Sequence, residues 1–335
     1  MTPKRPIDLK RDSAISGTVG TNDEGAIEDF FNVGHSLLMI KEKAIYKYQL
    51  ADQVDPGRTN IAVPHTQQKL YSVGSSSEVV GRILITAKYL FERGRLDSRF
   101  DKSESLSASL NFFDEVIAAV ALFENLTTEH NAAIAAFEEQ KTAGMTVLLP
   151  SIPDVPGKVK SFIQRLEHGV QRLLALCQIF YPMPPGKAWF DSFVKAAETA
   201  HKLEQKELEH LNAIAKFAQF IRNCRHCIEH PKHDQRIVVL DFKMTATAQI
   251  DSPMIEVVHR DTPEPNVPVL IFMHQMLRSI LRIGEDVMAF LASRHVTAGW
   301  EDKVGVVDFP EGQRRSTHVR YYFAVNMGGT LVPVG

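Results

Sequence analysis

The chain has 335 residues, with 38 Lys and Arg against 40 Asp and Glu and a formal net charge of −2. That length supports one large or two ordinary domains with a real hydrophobic core. The near-neutral balance excludes a global basic field, so any nucleic-acid contact has to come from a local patch.

Three cysteines, Cys177, Cys224 and Cys227, are too few for a disulfide framework and fit a reducing cytoplasm. The first residues are basic and polar without an apolar centre, which predicts neither a signal peptide nor a membrane anchor. No apolar run reads as a span of about 18 residues. The expectation is a soluble cytoplasmic protein with no membrane partner.

In chain order, residues 1–24 lack apolar periodicity and read as a flexible tail. From about Ala26 to Gln49 the set Ile27, Phe30, Phe31, Leu37, Leu38, Ile40, Ala44, Ile45 and Tyr48 recurs at helical spacing and predicts an amphipathic helix. Two more helices, over about 67–93 and 105–141, complete a helical N-terminal region of 25–147. The prolines of "LLPSIPDVPGK" (148–158) mark the internal boundary. A fourth helix then covers about 159–180, and a long fifth runs from about 188 towards 229, bent or broken near His201–Glu207. After Pro231 the period changes: "RIVVLDFKM" and "MIEVVHR" read as short strands, a β insertion at about 236–260. A last long helix follows at about 269–292. "VGVVDF" and "HVRYYFAV" make 298–335 a β-prone extension. The expected fold is mainly α, a helical bundle over 155–297 with a small β insertion before the last long helix and a β-prone C-terminus.

The densest chemistry lies in "AQFIRNCRHCIEHPKHDQ" (218–235). Pro231 disfavours helical backbone at His230 and removes a donor, so the helix ends there. His230 then occupies a helix C-terminus, where the macrodipole favours an imidazolium. Arg225 is about one and a half turns upstream, which in a regular helix separates the two side chains by roughly 140°. Unwinding at the proline, or a second chain, closes that gap. The pair suits attack on a phosphodiester: an imidazole moves the proton of a 2′-hydroxyl or of the leaving oxygen, and a guanidinium holds the phosphorane in its fork. The need for a 2′-hydroxyl selects RNA over DNA, and the chemistry needs no metal.

"RHCIEHP" (Arg225–Pro231) resembles the arginine, polar residue, short spacer, histidine signature of the HEPN superfamily (higher eukaryotes and prokaryotes nucleotide-binding), over about residues 155–295. The resemblance implies a helical bundle; many members are metal-independent endoribonucleases, working as homodimers with their arginine–histidine pairs meeting at the interface. It further implies a place in toxin–antitoxin or phage-defence systems, with an antitoxin or regulatory protein as partner. His230 would be the acid/base, Arg225 the phosphate holder, and His226 or Asn223 a polar support. His226 fills a slot that most often holds Asn or Asp. A second frame, Arg222-Asn223 followed by six residues and His230, fits a looser form of the signature; the tighter spacing favours Arg225. A reading of a different class is a non-catalytic helical scaffold that binds nucleotide or protein and uses the polar helix end for packing.

Other polar groups have simpler readings. Arg225 and Glu229 are spaced for a surface pair. Cys224 falls on the apolar stripe and reads as a core residue rather than a zinc ligand. Glu207-x-x-His210 is half of a di-iron pattern without a partner, hence a solvated helix face. "GQRRSTHVRYY" fits either a phosphate contact with Tyr321 and Tyr322 stacking, or a charged hairpin. Tyr46, Tyr48, Tyr71 and Tyr89 read as helix-stripe residues, in a core or against a partner. No cofactor and no metal are expected.

Overall fold

The computed structural model describes residues 4–13, 18–34, 36–92, 96–142, 148–184, 188–247, 249–297, 304–314, 316 and 318–333. With helix at 52% and strand at 21%, the chain is mixed α and β, which overturns the expectation of a mainly α bundle. By its internal contacts it divides into two compact units, Met1–Ser109 with Met288–Gly335, and Leu110–Val287.

The first unit holds the largest departure from the expected pattern. The segment expected to be one helix over 26–49 forms three strands, β1 (Ile27–Val33), β2 (Ser36–Lys41) and β3 (Ile45–Gln49), which β4 (Thr66–Tyr71) extends into an antiparallel sheet of order β1-β2-β3-β4. Gly34 sits at φ +57° and Val33 pairs with Ser36, so the chain reverses across a two-residue connection where a helix would have to continue. Leu38 and Ile40, two apart, are both buried, as is Phe31 opposite Leu38.

The second expected helix is likewise β4 followed by a helical segment over 78–92, with π-helical turns at Val80–Ile85 and Lys88–Glu92. Gly74 separates the two: a Cβ there would collide with the Lys41 carbonyl. Within 1–24, residues 1–3 and 14–17 lie outside the described set, while Pro6–Asp12 forms helix α1. Arg11 of α1 donates from Nη1 to Asp52 Oδ1 (2.9 Å) on the short helix α2 (Ala51–Val54).

The end of the chain adds a three-stranded antiparallel meander, β10 (Val304–Asp308), β11 (Tyr321–Met327) and β12 (Thr330–Pro333). The basic run enters this hairpin: Arg320 pairs with Asp308, and Tyr322 is buried beside Tyr89 and Phe309, unavailable for stacking on a ligand. Arg315 and Thr317 of that run lie outside the described residues.

In the second unit the helical reading survives. It contains the larger part of α3 (Lys102–Thr142), then α4 (Val155–Phe180), α5 (Phe190–Ala200), α6 (Gln205–Glu229) and most of α7 (Val269–Arg294). The long fifth helix is broken at 201–204, within the polar stretch that suggested a bend. Strands β5 (Arg236–Leu240), β8 (Met254–Val258) and β9 (Glu264–Pro268) form an antiparallel sheet, and β6 (Lys243–Met244) pairs with β7 (Ile250–Asp251). The core joins Phe162, Leu166 and Val170 of α4 to Phe190 and Phe193 of α5, Leu211 and Ala218 of α6, and Phe272 and Ile280 of α7, all buried. A Cβ on Gly284 of α7 would strike the Phe112 ring of α3, so these two helices approach closely at that glycine.

By length and composition one helix among the described residues, Lys102–Gln140, is apolar enough to cross a membrane, with a window of mean hydropathy 1.5. Its alanines raise that average, and Phe112, Phe113, Val116 and Ala119 form a buried face.

Glu24 anchors the edge of the first sheet. Its carboxylate accepts from the Lys69 ammonium (2.9 Å), the Thr21 N–H (3.0 Å) and the Tyr46 hydroxyl (2.9 Å). The Lys69 bond, then the Thr21 N–H, hold this carboxyl down at about 2. A carboxylate held below its unfolded value of about 4.3 stabilises the fold above that pH, and the contribution disappears as pH falls through the folded value. In thermal melts, Glu24→Gln should therefore lower Tm at pH 7, and the gap to wild type should close between about pH 4 and pH 2. A gap unchanged at pH 2 would contradict this role.

Candidate active site

Helix α6 carries two kinds of face. Leu211, Ile214, Ala215 and Ala218 are buried; Arg222, Arg225, His226, Glu229 and His230 continue the same face by steps of three and four. Charged groups therefore occupy the last turns of a seam that is apolar in its first turns. Across from them α4 presents Glu167, Gln171, Leu174 and Gln178, again three and four apart. Together with Ala188 and Trp189 these residues line a cleft of about 540 Å³.

The helix ends as the proline requires. His230 has non-helical backbone (φ −132°, ψ 61°), its N–H donates to the His226 carbonyl (2.9 Å), and the Gln235 amide caps the carbonyls of His226 and His230 (3.3 Å each).

Of the sequence-predicted residues, Arg222, Arg225, His226 and His230 come together in the cleft. Asn223 does not: it is buried on another face, accepting from Gln219 (2.7 Å) and donating to Thr262 (3.0 Å). Its function is to tie α6 to the loop before β9.

Arg225 is fully engaged on one side. Nη1 donates to Glu167 Oε2 (2.6 Å) and Nε to Glu229 Oε1 (2.8 Å), while Gln171 donates to the other Glu167 oxygen (2.6 Å). The expected Arg225–Glu229 pair exists, but it is the outer half of a network whose inner member, Glu167, keeps only 3% of its side chain exposed. The bond to Glu229 and the charge of Glu167 raise the Arg225 pKa, and the Arg225 bond lowers that of Glu229.

Arg222 has no carboxylate partner among the described residues; its guanidinium lies over the Trp189 ring at 4.6 Å. The Trp189 indole N–H is buried without an acceptor among those residues. The His226 imidazole is shifted down by partial burial first, then by Arg222 and His230. It is thus kept neutral near pH 7, able to accept a proton and not yet charged.

Cys224 and Cys227 face the core, where burial pushes both thiols up; Cys227 Sγ donates to the Val258 carbonyl (3.7 Å). Among the described residues no three His, Cys, Asp or Glu side chains converge to hold a metal ion. His210, read as part of a solvated face, instead bonds Asp286 of α7 at 3.1 Å. Comparisons with family models, with curated proteins and with solved structures find no match in any of the three.

Sequence reasoning missed Glu167, Gln171 and Trp189. The available signal was a glutamate flanked by the apolar pair Leu166 and Val170 on α4, a charge placed at the edge of a core stripe.

Removing Arg225 would leave Glu167 charged and buried, so Arg225→Ala should cost about 3 kcal/mol, the low end for breaking a buried pair because Arg225 keeps 27% of its side chain exposed. Urea unfolding measures this, and Arg225→Met with Glu167→Leu should recover most of the loss. Equal stability of Arg225→Ala and wild type would show the pair to be idle.

Proposed function

We propose that the cleft between α4 and α6 binds and cleaves RNA without a metal ion, as the resemblance of its helix end to the HEPN signature implies. The observation that carries this reading is the gathering of Arg222, Arg225, His226 and His230 along one face of α6, in one cleft. An RNA phosphate seated there meets the Arg222 guanidinium, the cation that no described carboxylate neutralises. Trp189, buried beneath it, holds that guanidinium in place through its ring.

Neutral His226 takes the 2′-hydroxyl proton as that oxygen attacks phosphorus. His230, one turn further along the same face, gives a proton to the departing 5′-oxygen. The products are a 2′,3′-cyclic phosphate and a 5′-hydroxyl. Arg225, held by two carboxylates, braces the helix end rather than gripping the phosphate. This moves the phosphate role to the second frame, Arg222-Asn223, with His230 common to both. The homodimer, the toxin or phage-defence setting and an antitoxin or regulatory protein enter the proposal through the resemblance alone, and the cytoplasmic location through the three cysteines.

One observation favours a second reading, a nucleotide-binding scaffold without catalysis: Glu167 and Glu229 together offset Arg222 and Arg225, so the carboxylates and guanidinium groups lining the cleft sum to no net charge.

Purified full-length protein should cleave single-stranded RNA in EDTA. Arg222→Ala and His230→Ala, which break no protein ion pair, should each reduce cleavage by roughly a hundredfold or more. Cleavage that persists in His230→Ala removes the catalytic assignment. In a Trp300→Phe background the remaining tryptophan is Trp189, so a change of its fluorescence on adding a mononucleotide, without any cleavage of RNA, selects the scaffold reading.

A further inference from the structure

The second unit contains another cavity, of about 240 Å³, walled mainly by apolar groups, Leu126, Ile152, Val269 and Leu270 among them. Two polar side chains on its wall meet. His130 Nε2, on α3, lies 3.1 Å from Ser252 Oγ, and His130 Nδ1 lies 3.3 Å from Asn131 Oδ1. An amide oxygen accepts but does not donate, so with hydrogen on Nδ1 both contacts of the ring are satisfied, Nδ1–H on Asn131 and the Nε2 lone pair on the serine hydroxyl. The ring is also fixed from its face, stacked on Phe242 at 5.2 Å between centroids.

The backbone around the serine supplies the third requirement. The Val269 N–H, first in the 26-residue helix α7, donates to the Pro253 carbonyl (2.8 Å), and Met254 pairs with Pro268, so Ser252 is strapped beside that helix start. The next two N–H groups, of Leu270 and Ile271, have no acceptor within the helix, and both residues line the cavity. A helix start with free N–H groups stabilises an oxyanion.

We infer that Ser252 and His130 form a nucleophile–base pair that hydrolyses esters of short acyl chains, with the acyl group in the apolar cavity. Ser252 Oγ adds to the ester carbonyl carbon while its proton passes to His130 Nε2. The oxyanion collapses, the bond to the alcohol oxygen breaks, and that oxygen leaves with the proton from His130. Water then adds to the acyl-serine carbonyl, giving a proton to His130; collapse of this second intermediate releases the carboxylic acid and returns the proton to Ser252. The only co-reactant is water. Asn131 is a positioning residue, acting through the histidine.

The test uses p-nitrophenyl butyrate and a fluorophosphonate on the full chain. Wild type should release p-nitrophenol and carry the phosphonyl group on Ser252, located by peptide mass mapping. Ser252→Ala should lose both signals, and His130→Gln should lower both by roughly a hundredfold or more. Ser252 is half-buried and tolerates alanine, and melting curves establish that each variant is folded. Absence of label and turnover in wild type, or turnover undiminished in Ser252→Ala, overturns the inference. RNA is not a substrate here, so the outcome is separate from that of the α4–α6 cleft.

Discussion

The buried pair between Glu167 and Arg225 is the constraint on which the α4–α6 cleft depends. Two helices that pack through Leu166, Val170, Leu211 and Ala218 would ordinarily continue apolar to their ends and close against each other. Placing a glutamate on one and an arginine on the other stops that closure, because a carboxylate removed from water must keep its cation and its hydrogen bonds. Gln171 and Arg225 together occupy both oxygens of Glu167. The helices are thus held at a spacing set by polar groups, and a cleft opens where the seam changes character. Such a pair contributes little net stability compared with leucines; what it gives is a fixed geometry.

That geometry separates two arginines that the sequence treats as near equivalents. Arg225 points to the carboxylates, Arg222 to the indole of Trp189. An arginine saturated by two carboxylates presents net negative charge to an anion, whereas one stacked on an aromatic ring retains its charge and its in-plane donors. The choice between two motif frames is therefore made on α4 and at the start of α5, far from the motif in sequence.

How much of this was legible follows the same logic. Helices α3, α4, α6 and α7 could be read because each repeats its apolar spacing over many turns, and the break at 201–204 announced itself as a polar cluster. The sheet of β1 to β4 could not. Ile27, Phe30, Phe31, Leu37, Leu38 and Ile40 fit helical spacing, only Leu38 and Ile40 show the two-residue strand period, and the reversal falls at Gly34, whose positive φ permits it. A single glycine inside a helix costs only about 1 kcal/mol, so its presence did not by itself argue against one. Within the site, the motif and its proline stop were visible, but the groups that give it a floor and an aromatic wall, Glu167 and Trp189, lie 58 and 36 residues before Arg225. The local sequence shows at most a charge at the edge of the α4 stripe; which residue it pairs with is decided only once the helices have packed.

Near-neutral charge and a proposed RNA substrate are compatible on this arrangement. Long-range attraction of a polyanion needs an excess of exposed cations, and neutralising many phosphates would make binding steeply salt-dependent. A cleft in which Glu167 and Glu229 offset Arg225 offers instead one unneutralised guanidinium, one aromatic ring and two imidazoles. In the proposed RNA reading those groups would hold a single nucleotide step by fixed donors, interactions that act at contact distance and are weakly screened. In that reading the site would admit flexible single strands more readily than duplex. In that reading the negative partners of Arg225 would have a use beyond structure: they would repel phosphates not seated on Arg222, so the backbone could enter the cleft in few registers.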